Sequence, residues 1–435
     1  MKSNIKILTF FERNKLFQNP FFLFLPFLIL YIILVIINRH LPLGADSYVY
    51  LMFAENLLNG FYSPPFPNIN LIESPGYPLI LVPFVALKLP LISILLMNAL
   101  FHYLSIVFLY KSLRFFLPSI KALIFATLYA SCYSSYYLLN YIYTEPLSLF
   151  LISILMFYII KTYQTDVKKY MFVAGLVLGY MALVKVIFPY VLFTLFIYFS
   201  ILYIFKRSSV YKKGLSITLV AFLVLLPYLF YTYNLTGKLF YFGSAGNDTL
   251  YWMSTPYENE YGSWNNSKFE ANSEGPEKGL GTELFKSNHQ ENFDKIEKLY
   301  PLEKDDALLE MAIINIKNNP VKYLKNCVAN VSRLFFSFPK NYTFERPIYK
   351  IWYFSIIYVL LLYSLLVTLF NWKSVSFSIR VVFLLSSIYL GGSSLVSVDN
   401  RQLILILPAL MLWIGYMVHK TVVFKPLDVS EGSKI

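Results

Sequence analysis

Apolar runs of about 20 residues alternate with short polar segments along this chain, the length and rhythm of bilayer-spanning helices. The first predicted span covers residues 20–38 and leads into a loop, 39–78. Inside that loop, 46–58 places polar and apolar residues at helical spacing before Asn59-Gly60 stops it, which predicts a helix lying flat on the membrane surface. The apolar stretch 78–113 is interrupted by Lys88 and Pro90. It reads as an interfacial or re-entrant helix over 78–89 and a second span over 91–113. Spans three and four are expected over 122–139 and 147–163. The stretch 170–205 is too long for one span and reads as two that turn at Lys185. A seventh span covers 215–233, and the last three cover 350–371, 375–396 and 402–419.

Charge orients this array. Lys2, Lys6, Arg13 and Lys15 precede the first span. Lys111, Arg114 and Lys121, then Lys168 and Lys169, then Lys206, Arg207, Lys212 and Lys213 fall in alternate connections, as do Lys373, Arg380, Lys420 and Lys425 near the end. With about ten spans these clusters share one side, which the positive-inside bias makes cytoplasmic, together with both termini. The segment 234–349 then lies outside. It holds about 15 of the 24 acidic residues, with Gly and Asn turns first and amphipathic helical patterns over 301–316 and 320–336. The expected organisation is an N-terminal membrane domain (1–233) with its outer loop at 39–78, a small extracytoplasmic α-rich domain (234–349), and C-terminal membrane helices with a cytoplasmic tail (350–435).

Composition agrees with an all-α polytopic membrane protein: 57% of residues are hydrophobic, 19% aromatic and 14% charged. The net charge of +13 lies in the topological clusters, so it argues against a nucleic-acid partner. Cys132 lies in an apolar run and Cys327 in a polar segment, a poor basis for a disulfide framework. The N-terminal apolar run lacks a small-residue cleavage site and reads as a retained span. A Lys, Asn, Ile, Tyr and Phe bias suits an AT-rich genome and favours a bacterial host.

Once oriented, the unusual charges gather at one face. Asp46, Glu73, Glu145, Lys185, Asp399 and Arg401 all fall at outer span ends or in the adjoining loops. Singly they have ordinary readings: Asp46 as a helix cap, Glu145-Pro146 as a helix start, Lys185 snorkelling to the interface, Arg401 paired with Asp399. Together, carboxylates and cations at one face suit deprotonation of a hydroxyl and retention of a phosphate, with or without a metal. The four histidines have no zinc-ligand spacing, and there is no nucleotide loop or GxSxG elbow.

Gly44-Ala45-Asp46-Ser47, Tyr50-Leu51, Ala54, Asn59-Gly60-Phe61-Tyr62 and Pro75-Gly76-Tyr77-Pro78 resemble the first outer loop of GT-C glycosyltransferases. The closer likeness is to family 39 in a broad sense, the protein O-mannosyltransferase and aminoarabinose-transferase type. Thr144-Glu145-Pro146-Leu147, Leu183-Val184-Lys185, Tyr233-Asn234 with Thr236-Gly237-Lys238, and Asn400-Arg401 with Pro408 resemble its later motifs in order. The resemblance implies a GT-C-like fold, a polyprenyl-phosphate-linked sugar donor, inversion at the anomeric carbon, and a lipid, glycan or protein acceptor outside the cytoplasm. It implies Asp46 as general base and Glu73 as the residue that positions the acceptor or helps Asp46 hold a divalent ion. Lys185 and Arg401 would hold the donor phosphate, with Glu145 and Tyr77 in support. Ser47 stands where protein mannosyltransferases often carry a second acid, and Ser74 where aminoarabinose transferases carry Lys.

Two other classes compete with a cell-envelope enzyme facing the periplasm or exterior. A transporter or flippase would show internal repeats and broken or charged midplane sites, and neither pattern is evident here. A non-catalytic assembly partner would use 234–349 as an interaction module. The Asn-x-Ser/Thr triplets at Asn234, Asn247, Asn265, Asn330 and Asn341 arise easily in an Asn-rich chain and do not mark a secretory host.

Overall fold

A computed structural model describes residues 19–40, 43–264, 278–339 and 348–421. The basic N-terminal residues, Asn265, Asn341 and Lys425 lie outside these. The described residues are helical, with no strand among them. The helices are α1 (Leu25–Ile37), α2 (Ala45–Leu58), α3 (Gly76–Ala86), α4 (Leu91–Leu113), α5 (Ser119–Ala130), α6 (Glu145–Gln164), α7 (Lys168–Val184), α8 (Phe188–Lys206) and α9 (Ser209–Thr236). After them come α10 (Ala245–Met253), α11 (Lys278–Glu297), α12 (Pro301–Asn318), α13 (Pro320–Phe336), α14 (Ile348–Phe370), α15 (Phe377–Ser394), α16 (Arg401–Leu405) and α17 (Leu407–Thr421).

Among the described residues, α4, α6, α8, α9 and α15 are each long and apolar enough to cross a membrane. They make this a multi-pass membrane protein. At 1.5 Å per residue the 23-residue α4 reaches about 35 Å, beyond a hydrocarbon core of about 30 Å. The predicted third span is not one straight helix. It breaks after Ala130 and continues as a short helical stretch to Asn140, bent by 54°. Counting it as one span gives up to 6 such helices rather than the ten expected, because several other apolar helices, including α1, are shorter. At the break, the Tyr31 hydroxyl donates to the freed Ala130 carbonyl at 2.6 Å, which satisfies a backbone group that lipid could not.

The bundle is tightest where α7 crosses α9. A Cβ on Gly175 would stand 2.5 Å from Val220 Cβ, and one on Gly179 would stand 2.6 Å from the Ala221 carbonyl oxygen. Two glycines four apart thus let the backbones approach as only small residues allow. The turn that α7 delivers carries Lys185, whose N–H still bonds the Met181 carbonyl at 3.1 Å.

Helices α6 to α9 run back and forth so that Glu145 and Lys185 lie at one end and Lys161, Lys168, Lys206, Arg207, Lys212 and Lys213 at or near the other. Beyond the first end, Tyr251, Trp252, Phe293, Ile296, Leu308 and Ala312 form a small apolar cluster of their own, separate from the main core. It gathers α10, α11 and α12.

Candidate active site

A cavity of about 1350 Å³ opens between that end of the bundle and α10–α13. Asp46, Glu73, Glu145, Lys185, Asp399 and Arg401 all line it, although they are spread over more than 350 positions of sequence. They arrive on five separate pieces of backbone, Asp399 and Arg401 sharing one.

Asp46 stands in the first turn of α2. It is not the cap of that helix: Gly44 holds the cap position, and no side chain caps it. A Cβ at 44 would meet the Tyr143 hydroxyl oxygen, so any side chain there would have to displace the Tyr143 ring. Ser47, next to Asp46, is fully buried and its Oγ accepts the Ile142 N–H at 3.2 Å, which pins α2 to the loop ahead of α6. One helical turn after Asp46, the Tyr50 hydroxyl donates to Glu73 Oε2 at 3.1 Å.

Glu73 ends the long loop, and the backbone there is held tightly. The Tyr62 hydroxyl donates to the Glu73 carbonyl at 2.8 Å, and the Ser244 N–H donates to the Leu71 carbonyl at 2.9 Å. Gly76 follows, and its Cα packs so closely on the Leu183 carbonyl that a Cβ would be 2.7 Å from it. Ser74 is buried with no hydrogen-bond partner for its hydroxyl. Burial pushes the Glu73 carboxyl up to about 7, the Lys185 ammonium opposing the rise and the Asp46 carboxylate adding to it.

The cations are already engaged. Lys185 donates to Glu145 Oε1 at 3.0 Å in a largely buried ion pair, so it does not snorkel. Arg401 donates to Asp46 Oδ2 at 3.0 Å, not to Asp399, and its guanidinium lies 5.0 Å over the Tyr143 ring. Asp399 instead accepts the Asn400 N–H at 2.7 Å. Tyr77 lies beneath the cavity rather than in its lining: it is fully buried and donates to Asn98 Oδ1 at 3.3 Å. Among the described residues no group of three or more His, Cys, Asp or Glu side chains is placed to hold a metal ion.

Sequence reasoning missed Asn330. Its amide donates to the carbonyls of Ser393, Ser394 and Val396, at 3.1, 3.2 and 2.6 Å, and so shapes the loop that presents Arg401. Nothing in the sequence distinguishes it except an Asn-Val-Ser triplet, and as a fully buried side chain it cannot carry a glycan. Tyr50 carried a usable signal, because it lies four residues from Asp46 on a predicted helix.

Residues 73–231 match the family model of dolichyl-phosphate-mannose-protein mannosyltransferases. The family resemblance read from the motifs is therefore borne out. The matched stretch includes Glu73, Glu145 and Lys185, while Asp46 and Arg401 fall outside it. No curated protein sequence matches the chain. Among solved structures, the archaeal oligosaccharyltransferase AglB from Archaeoglobus fulgidus, in complex with an inhibitory peptide and a dolichol-phosphate, is similar at 15% identity and a TM-score of 0.49. That alignment covers 91% of this chain but only 50% of the archaeal one, so this chain spans about half its length. ArnT from Cupriavidus metallidurans, bound to undecaprenyl phosphate, is similar at 11% identity and a TM-score of 0.42, over 91% of this chain and 77% of that one.

Proposed function

We propose that this protein is an integral-membrane glycosyltransferase that moves a sugar from a polyprenyl-phosphate donor to an acceptor hydroxyl on the non-cytoplasmic face. The observation that carries the reading is the convergence of Asp46, Glu73, Glu145, Lys185 and Arg401 on one cavity at the end of an apolar bundle, in a chain with the family match above. That end is opposite the basic connections, which supports an outward-facing site.

In the proposed step the acceptor oxygen attacks the anomeric carbon from the side opposite the phosphate, with inversion. The new bond is acceptor oxygen to C1, and the bond that breaks is C1 to the phosphate oxygen. The acceptor proton passes to the Asp46 carboxylate, and the electron pair leaves with the polyprenyl phosphate. Negative charge grows on that leaving group, where Lys185 and Arg401 stabilise it. Neither cation has to abandon its carboxylate. A guanidinium has five N–H donors and an ammonium three, so each can bridge its carboxylate and a phosphate. Tyr143 and Asp46 hold Arg401 in place, and Glu145 does the same for Lys185. Glu73 orients the acceptor hydroxyl.

A second reading has an observation behind it: Glu73 has no ion-pair partner among the described residues and titrates near neutrality, which also suits a general base. Transfer from a radiolabelled polyprenyl-phosphate sugar in proteoliposomes separates the two. Asp46→Asn should lower kcat by about 10²–10⁴, the usual worth of a positioned base, and Glu73→Gln by less. The reverse order would assign the base to Glu73, and full activity in both variants would end the mechanism.

A further inference from the structure

Away from Asp46 and Glu73, the same cavity has a wall built by α10, α12 and the segment before residue 265, and the proposed chemistry leaves it unused. Asp305, from α12, lines this wall and is 3% exposed. Its Oδ2 accepts the Tyr241 hydroxyl at 2.8 Å and the Asn247 amide lies against the same residue, while Oδ1 is buried and makes no hydrogen bond of ordinary geometry. A buried carboxylate oxygen left unpaired is costly unless a ligand completes it. Nearby on the same wall, the Trp264 indole N–H donates to Asp248 Oδ2 at 2.7 Å, which fixes the orientation of a half-exposed ring. Tyr190 and Phe293 add further aromatic surface to the lining.

We infer that this wall is a saccharide subsite, which takes the hydroxyl-bearing ring of a glycan acceptor against Trp264 and hydrogen-bonds it to Asp305. The acceptor role rests on the transferase reading, whereas the binding chemistry stands on the wall itself. Oriented aromatic faces suit the C–H face of a sugar ring, and carboxylate oxygens suit its hydroxyls. A cationic peptide is the poorer fit. Lys304 lines the same wall as Asp248 and Asp305, so these two acids do not create a strongly negative surface. Burial also pushes the Asp305 carboxyl up to about 6, with the Tyr241 hydroxyl pulling the other way. A carboxyl near its own titration point is better matched to a hydroxyl than to a fixed cation.

The test is binding of defined neutral oligosaccharides (mannotriose, chitotriose and galactotriose) to the purified full chain in detergent, without donor, by saturation-transfer NMR and tryptophan fluorescence. At least one should bind, and Trp264→Ala and Asp305→Asn should each weaken it tenfold or more while keeping the wild-type thermal transition. A milder Trp264→Tyr should retain part of the binding. No binding by any of the three, binding indifferent to these variants, or variant-sensitive binding of a tetralysine peptide instead would overturn the subsite. Donor consumption by the wild-type protein is followed in parallel. Consumption without saccharide binding removes the subsite and leaves the transferase reading, whereas binding without consumption removes the acceptor role and the transferase reading together.

Discussion

At the residue scale, the site is a set of charges that compensate one another before any substrate arrives. Asp46 with Arg401 and Glu145 with Lys185 form two ion pairs, and Glu73 is left with only the Tyr50 hydroxyl. Burial, with no cation paired to it, is what raises the Glu73 carboxyl. Its folded carboxyl is raised from 4.5 to about 7, so the folded state binds the proton more tightly than the unfolded chain. The stability this supplies is full below about 4.5 and is lost as pH rises through about 7. Glu73→Gln should therefore raise the thermal midpoint more at pH 8 than at pH 5, read by thermal unfolding in detergent. In turnover, kcat/KM should climb with pH through about 7 as Glu73 ionises to accept the acceptor hydroxyl, and the Gln variant should lose that inflection. An unchanged profile in the variant would remove Glu73 from the chemistry. The sequence made these charges conspicuous, since a carboxylate beside an apolar run is rare, but it could not say who pairs with whom. The bland pairing of Arg401 with Asp399 was the local choice, and the chain took a partner 355 residues away.

At the scale of elements, the helix pairs that set the site follow from small residues and from polar pins at breaks. The Gly175 and Gly179 face of α7 lets α9 approach, and α7 ends at Lys185. Gly179→Leu should force the pair apart, at a cost of about 1–3 kcal/mol for an overpacked contact, and should carry the Lys185 turn out of register with Glu145. The expected result is a lower thermal midpoint together with weakened sugar transfer. A Gly179→Ala variant with the same loss would show how little space the contact has, whereas a stable, active Leu variant would refute the close packing. Apolar periodicity and breakers made most of these elements legible: α4 and α13 have the predicted ends, and the turn at Lys185 falls between α7 and α8 as expected. The bend after Ala130 was read through as part of one span, although Ser131, Ser134 and Ser135 interrupt the apolar run there. The distant Tyr31 hydroxyl meets the freed Ala130 carbonyl, and the Ser135 hydroxyl meets that of Cys132, so the break leaves both satisfied.

At the scale of the whole molecule, alternation of helices separates a basic end from a cavity end. On the proposed orientation, Asn68→Cys and Ser263→Cys, in a background lacking Cys132 and Cys327, should react with an impermeant maleimide in intact spheroplasts. Lys212→Cys and Lys373→Cys should react only after permeabilisation, and the opposite pattern would invert the protein and its proposed active site. The sequence alone determined the membrane class, most helix positions and the charged residues that come to line the cavity. It did so because each rests on short-range properties: hydropathy over one helix, a breaker, or a charge where lipid penalises it. The opening loop was visible in this way, as was its pair of acids. Tertiary structure alone decided that Asp46 is held by Arg401, that Asn330 shapes the loop presenting that arginine, that Tyr77 belongs to the core, and that Asp305 is left with an unpaired oxygen on the cavity wall. Those are distance-dependent facts about groups far apart in the chain, and a side chain's partner is settled by which backbones pack together.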